Sequence, residues 1–157
     1  EIKGVLEGHA ARLAAEHLEP TQIDRMEQLN EELARCFERA DVAAMVPVHN
    51  EFHDIFVSAC GNERLSALIT SLVKQFQRFR IALSHTPAVS ESIATHREIV
   101  AAFRNREAER AAQLVRDNSL QGCEALLRVL ALIVVPVRRS ARSTFLSANN
   151  LLRSMRP

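Results

Sequence analysis

His49 and His53 stand four residues apart in the segment MVPVHNEFHDIFVSAC. In a helix that spacing puts both imidazoles on one face. Met45, Phe52, Phe56 and Cys60 share the face, so it points inward. His96 falls on a second apolar stripe with Ile93, Val100 and Phe103, and Asn118 on a third with Ala111, Val115 and Gly122. A buried imidazole needs a partner, because an unsatisfied polar group costs on the order of 1–3 kcal/mol. Three imidazoles that converge are satisfied together by one divalent metal, and neutral imidazole suits zinc, nickel or copper. Separate core histidines, each bonded to a carbonyl or a water, fit the same spacing, and both readings stand at this point. His9, His17 and His85 lie at a helix surface, near a helix end and in a loop, where a histidine needs no further explanation.

The elements that must position these residues are all helical. Apolar residues recur at helical spacing along nearly the whole chain, and no convincing period-two strand occurs. The spacing predicts a helix over about residues 1 to 17 and a second opening at Pro20-Thr21 with Thr21 as N-cap. A short helix follows Asp41, and a longer one begins near Pro47 and reaches Cys60, where Gly61 stops it. Asn62 caps a long helix with the stripe Leu65, Leu68, Leu72, Phe76, Phe79 and Leu83. Ser90 caps the next, after a loop at about residues 84 to 89. The polar triplet Asn105-Arg106-Glu107 reads as a tight break midway between His96 and Asn118, so a fold-back there brings the two level. A last long helix runs to about residue 130. Short connections imply antiparallel neighbours, hence an all-α antiparallel bundle of six to seven helices.

Three segments resemble the FCD domain, the C-terminal ligand-binding domain of the FadR subfamily of GntR repressors. LEGHAARLAAEH, from Leu6 to His17, resembles the family's opening helix. HNEFHDIFVSACGNERL, from His49 to Leu65, resembles its D-x-x-F-H helix with the following glycine-asparagine turn. THREIVAAFRNREAERAAQLVRDN, from Thr95 to Asn118, resembles its E-H-x-x-I-x-x-A-I segment, turn and final helix. The resemblance covers about residues 1 to 130, leaves 131 to 157 as a basic tail, and implies a winged-helix DNA-binding domain that this chain lacks. It also implies a bundle that holds a divalent metal through an Asp, a His four residues later and two further histidines, with a small carboxylate effector beside the metal. This chain matches at His53 and His96, has His49 in place of the Asp, and has Asn118 in place of the last His. The implied set is therefore His49, His53, His96 and Asn118 around zinc or nickel. Lys3 stands where many members carry an arginine facing the ligand, and Arg78 on the long helix is a second cation for an effector carboxylate.

Composition narrows the function. The 157 residues carry a formal net charge of +1 and a hydrophobic fraction of 47%, which argues for one packed domain and against a generally basic nucleic-acid surface. Cys36, Cys60 and Cys123 form no CxxC pair and suit a reducing compartment. The apolar run Val129 to Val135 is too short to span a bilayer. The tail carries Arg138, Arg139, Arg142, Arg153 and Arg156 and no aromatic platform for bases. The expectation is a cytoplasmic, homodimeric, non-enzymatic effector sensor that reaches operator DNA only through the missing domain. Two rivals stand beside it. One is a small helical metallo-hydrolase, opposed by the lack of a general base on the histidine stripes, since Glu51 and Asp54 fall off that face. The other is a helical association module with ordinary buried histidines.

Overall fold

A computed structural model describes the backbone of residues 1–83 and 86–153 and the side chains of residues 1–75, 83 and 86–131. It contains α1 (Ile2–Ala14), α2 (Pro20–Glu38), α3 (Val42–Ala59), α4 (Glu63–Leu83), α5 (Pro87–Arg104) and α6 (Ala108–Arg153), with no strand among the described residues. The bundle predicted from periodicity is present. Helix α1 packs on α6, α3 and α4; α2 packs on α3 and α5; and α5 lies against α6. Phe52, Phe56 and Phe103 are fully buried at the centre with Leu29, Met26 and Ile99. Among the described residues no helix is long and apolar enough to cross a membrane.

The breaks between helices have local causes. Gly61 ends α3 at φ +68, a conformation that disfavours any side chain. Asn62 Oδ1 then accepts from the Leu65 amide at 3.0 Å, as expected of a cap. The predicted break at Asn105–Glu107 is real. Arg106 adopts φ 59 there, and its guanidinium donates to the Ala15 carbonyl at 2.8 Å, tying this turn to the end of α1.

Four local expectations are corrected. Proline takes the first position of both α2 and α5, so Glu19 and Thr86 are the N-caps rather than Thr21 and Ser90. The Gln22 side chain accepts from the Glu19 amide at 2.9 Å, half of a capping box. Helix α3 is continuous from Val42, where a short helix and a second one were predicted. Asp41 caps it, and Pro47 sits inside it. The carbonyl that Pro47 leaves without an amide partner belongs to Ala43, which is exposed, so water can satisfy it. On α4 the inward residues are Leu65 and Ile69, whereas Leu68 is 58% exposed, so the stripe follows i, i+4 spacing. Finally, α6 continues past residue 130 to Arg153.

Candidate metal centre

Helix α3 presents His49 and His53 from successive turns, with the rings stacked at 4.6 Å between centroids. Helix α5 presents His96 opposite them, 5.2 Å from His49 and 5.4 Å from His53 by ring centroid. One donor atom from each of the three lies within 4.8 Å of the other two. A tetrahedral ion with metal–nitrogen distances of roughly 2.0–2.1 Å separates its nitrogens by about 3.4 Å, so small side-chain rotations close the gap. His53 and His96 are buried and His49 is half-buried. Phe52 stacks on His96 at 4.0 Å and limits how that ring can turn. The donor set is three imidazoles, which suits a borderline-soft divalent ion.

Hydrogen bonds define the state of His96. Asn30, buried on α2, donates from Nδ2 to the Ile93 carbonyl at 3.0 Å, which orients its amide. Its Oδ1 then faces His96 Nδ1 at 3.2 Å, and an amide oxygen only accepts. His96 therefore carries its proton on Nδ1. Its Nε2 accepts from Asn118 Nδ2 at 3.3 Å and lies 3.4 Å from Ser92 Oγ. The turn at Asn105–Glu107 makes this last contact possible by laying α5 along α6 and bringing His96 level with Asn118.

A cavity of about 190 Å³ opens beside the cluster. His49, His53, Asn118 and Lys3 line it, and Leu33, Met45, Val89 and Leu126 supply much of its apolar wall. The Lys3 ammonium pairs with Glu7 and lies 3.3 Å from Ser119 Oγ. Lys3 thus lies on the cavity wall with a carboxylate already beside it. The side chain of Arg78 lies outside the described residues, as does His85. His9 is exposed, and exposed His17 bonds the Leu13 carbonyl through Nδ1 at 3.0 Å. Glu51 and Asp54 are exposed, and Glu51 pairs with Arg25 at 2.7 Å.

A family model for the FCD domain matches residues 1–118. The chain belongs to the FCD domain family. FCD domains are the effector-binding regulatory domains of GntR-type transcription regulators, which act as dimers that bind DNA and effectors. The match stops at Asn118, whereas the resemblance read from the sequence runs on to about residue 130. No curated protein matches this FCD domain.

Sequence reasoning missed two polar residues of the FCD core. Glu7 is fully buried, with Oε1 3.6 Å from His53 Nδ1, so a carboxylate does reach the cluster, from a helix that carries no histidine ligand. Asn30 is the other. Both had a signal: Asn30 interrupts the stripe Ile23, Met26, Leu33, and Glu7 interrupts the small-residue face Gly4, Gly8, Ala11 of α1.

Proposed function

We propose that this FCD domain senses a small carboxylate effector in the cavity beside a divalent metal held by His49, His53 and His96. The observation that carries the reading is the convergence of three donor atoms within 4.8 Å, two of them on His49 and His53 at the cavity wall and the third on His96 behind them. When bound, the metal supplies a positive centre that its neutral ligands leave uncompensated, which favours an anionic effector. The protein's own residues do the rest. Lys3 places an ammonium on the same wall, and Ser119 beside it offers a hydroxyl. The apolar side of the cavity excludes water and fits a short hydrocarbon body. Asn118 is the marginal member, because its amide must turn away from His96 Nε2 before it can offer Oδ1 as a fourth contact.

Lys3 on α1, His49 and His53 on α3, and Asn118 on α6 surround one cavity, so an effector that touches them all favours one arrangement of these helices. Coupled to winged-helix domains in a cytoplasmic homodimer, that population shift alters their spacing on operator DNA. A metal-free pocket is the second reading. It is favoured by His96, both of whose nitrogens already face protein groups.

Metal content and melting temperature separate the two. With zinc or nickel at a hundred times Kd, the parent chain gains about 2.7 kcal/mol, on the order of 5–10 °C in Tm. His53→Ala loses both the metal and the shift, and Asn118→His binds more tightly. If the parent and both variants respond alike to added metal, the histidines are core residues and the effector binds by hydrogen bonds alone.

A further inference from the structure

The buried carboxylate of Glu7 has no place in the metal-centre reading so far. It does not belong to the group of donors that lie within 4.8 Å of one another, and it stands behind His53. It is nonetheless fully buried, and burying a carboxylate is costly unless it is paired and hydrogen-bonded. Lys3 takes Oε2. Oε1 makes no hydrogen bond and lies 3.6 Å from His53 Nδ1, a few tenths of an ångström beyond hydrogen-bond reach.

Asn30 shows what an acceptor in that place does. Its Oδ1 holds the proton of His96 on Nδ1 and turns the Nε2 lone pair toward Asn118 and the cavity side. Glu7 Oε1 faces His53 Nδ1 from the corresponding side at the longer distance of 3.6 Å. An ionised carboxylate only accepts, so the nitrogen facing it is the one that carries the proton. We propose that Glu7 is a positioning residue that holds His53 in its Nδ1–H form, so that Nε2 is the nitrogen offered to the metal. A carboxylate behind a metal-bound imidazole fixes the ring and raises its basicity. With three neutral imidazoles as the donor set, Glu7 adds a negative charge to the site one step removed from the ligands. Lys3 has a part in this, because by claiming Oε2 it leaves Oε1 to face the histidine.

The consequence for metal affinity rests on the metal-centre reading, but the tautomer does not, and it can be read in the metal-free chain. Long-range proton–nitrogen correlation spectra of the imidazoles distinguish Nδ1–H from Nε2–H. In the parent, His53 is expected as Nδ1–H. In Glu7→Gln, Lys3 claims the amide oxygen and the amide NH2 faces His53, so the tautomer switches to Nε2–H. In the double variant Lys3→Met with Glu7→Gln the amide can turn its oxygen to His53, and Nδ1–H returns. Zinc affinity should follow the tautomer, falling about 10- to 100-fold in Glu7→Gln and recovering in part in the double variant. His53 as Nε2–H in the parent overturns the proposal, and this measurement decides even if Glu7→Gln fails to fold. An unchanged tautomer in folded Glu7→Gln overturns it as well. If Glu7→Gln shows the tautomer switch yet the parent binds no zinc, the metal centre is rejected and the role of Glu7 stands. If the parent binds zinc and Glu7→Gln shows no switch, the reverse holds.

Discussion

The polar residues of this core are held by pairing, and the smallest of the pairings is the most exacting. Asn30 is 4% exposed and uses both ends of its amide, one on the Ile93 carbonyl and one on His96 Nδ1. Asn30→Ala removes the acceptor facing His96 Nδ1 and a second donor to the Ile93 carbonyl, so a loss of roughly 1–3 kcal/mol in urea unfolding is expected. A loss below about 0.5 kcal/mol would mean that the two groups find other partners, as surface substitutions do. The candidate ligands themselves were legible in the sequence, because His49, His53, His96 and Asn118 each interrupt an apolar stripe and helical periodicity alone puts them inward. Glu7 and Asn30 interrupt inward faces too, so their burial carried a signal, but what they pair with was not legible. Their partners are 46 and 66 residues away, counted as 53 − 7 and 96 − 30, and only the packing of α1 on α3 and of α2 on α5 brings them together.

At the scale of the elements, periodicity found the helices but misread how they begin and which way one of them faces. Proline at the first position, with its missing amide, determines where α2 and α5 start, and the rule that places it there points to Glu19 and Thr86 as caps. Counting polar residues pointed instead to Thr21 and Ser90. On α4 the run of leucines suited two stripes, and the docking of α4 on α1, α3 and α6 selects Leu65 and Ile69. The seam between α1 and α6 is the most closely fitted feature. A Cβ on Gly8 would meet the Ala112 carbonyl oxygen at 2.9 Å, and one on Gly4 would meet the Arg116 carbonyl oxygen at 3.3 Å. Alanine gains about 1 kcal/mol over glycine in a helix interior, and overpacking against a backbone that cannot yield costs about 1–3 kcal/mol. Gly8→Ala should therefore be destabilising overall, and Gly4→Ala close to neutral, in denaturant midpoints at unchanged slope. Equal midpoints for the two would show that α1 slides freely on α6.

For the molecule as a whole, the formal net charge of +1 supplies no general attraction to DNA, which leaves association between copies as the property that a regulator of this family needs from its effector domain. The described surface has four large apolar side chains more than half exposed: Ile2 and Val5 on α1, Leu68 on α4 and Leu127 on α6. Single exposed apolar residues are ordinary on any protein. These four sit on α1, α4 and α6, three helices that pack on one another, and the prediction is that a two-fold contact between copies uses them. A two-fold contact uses each residue twice, once from each protomer, and burying one leucine is worth about 1.5–3 kcal/mol. Sedimentation equilibrium at tens of micromolar should give twice the 17.6 kDa of one chain. Leu68→Glu should weaken that dimer by at least about 100-fold, since each 1.4 kcal/mol is a factor of about ten and two leucines are lost. The melting temperature of the dissociated variant tells loss of contact from loss of fold. A parent chain that sediments as a monomer at these concentrations would place dimerisation outside this domain, and a Leu68→Glu variant that stays dimeric would place it on another face.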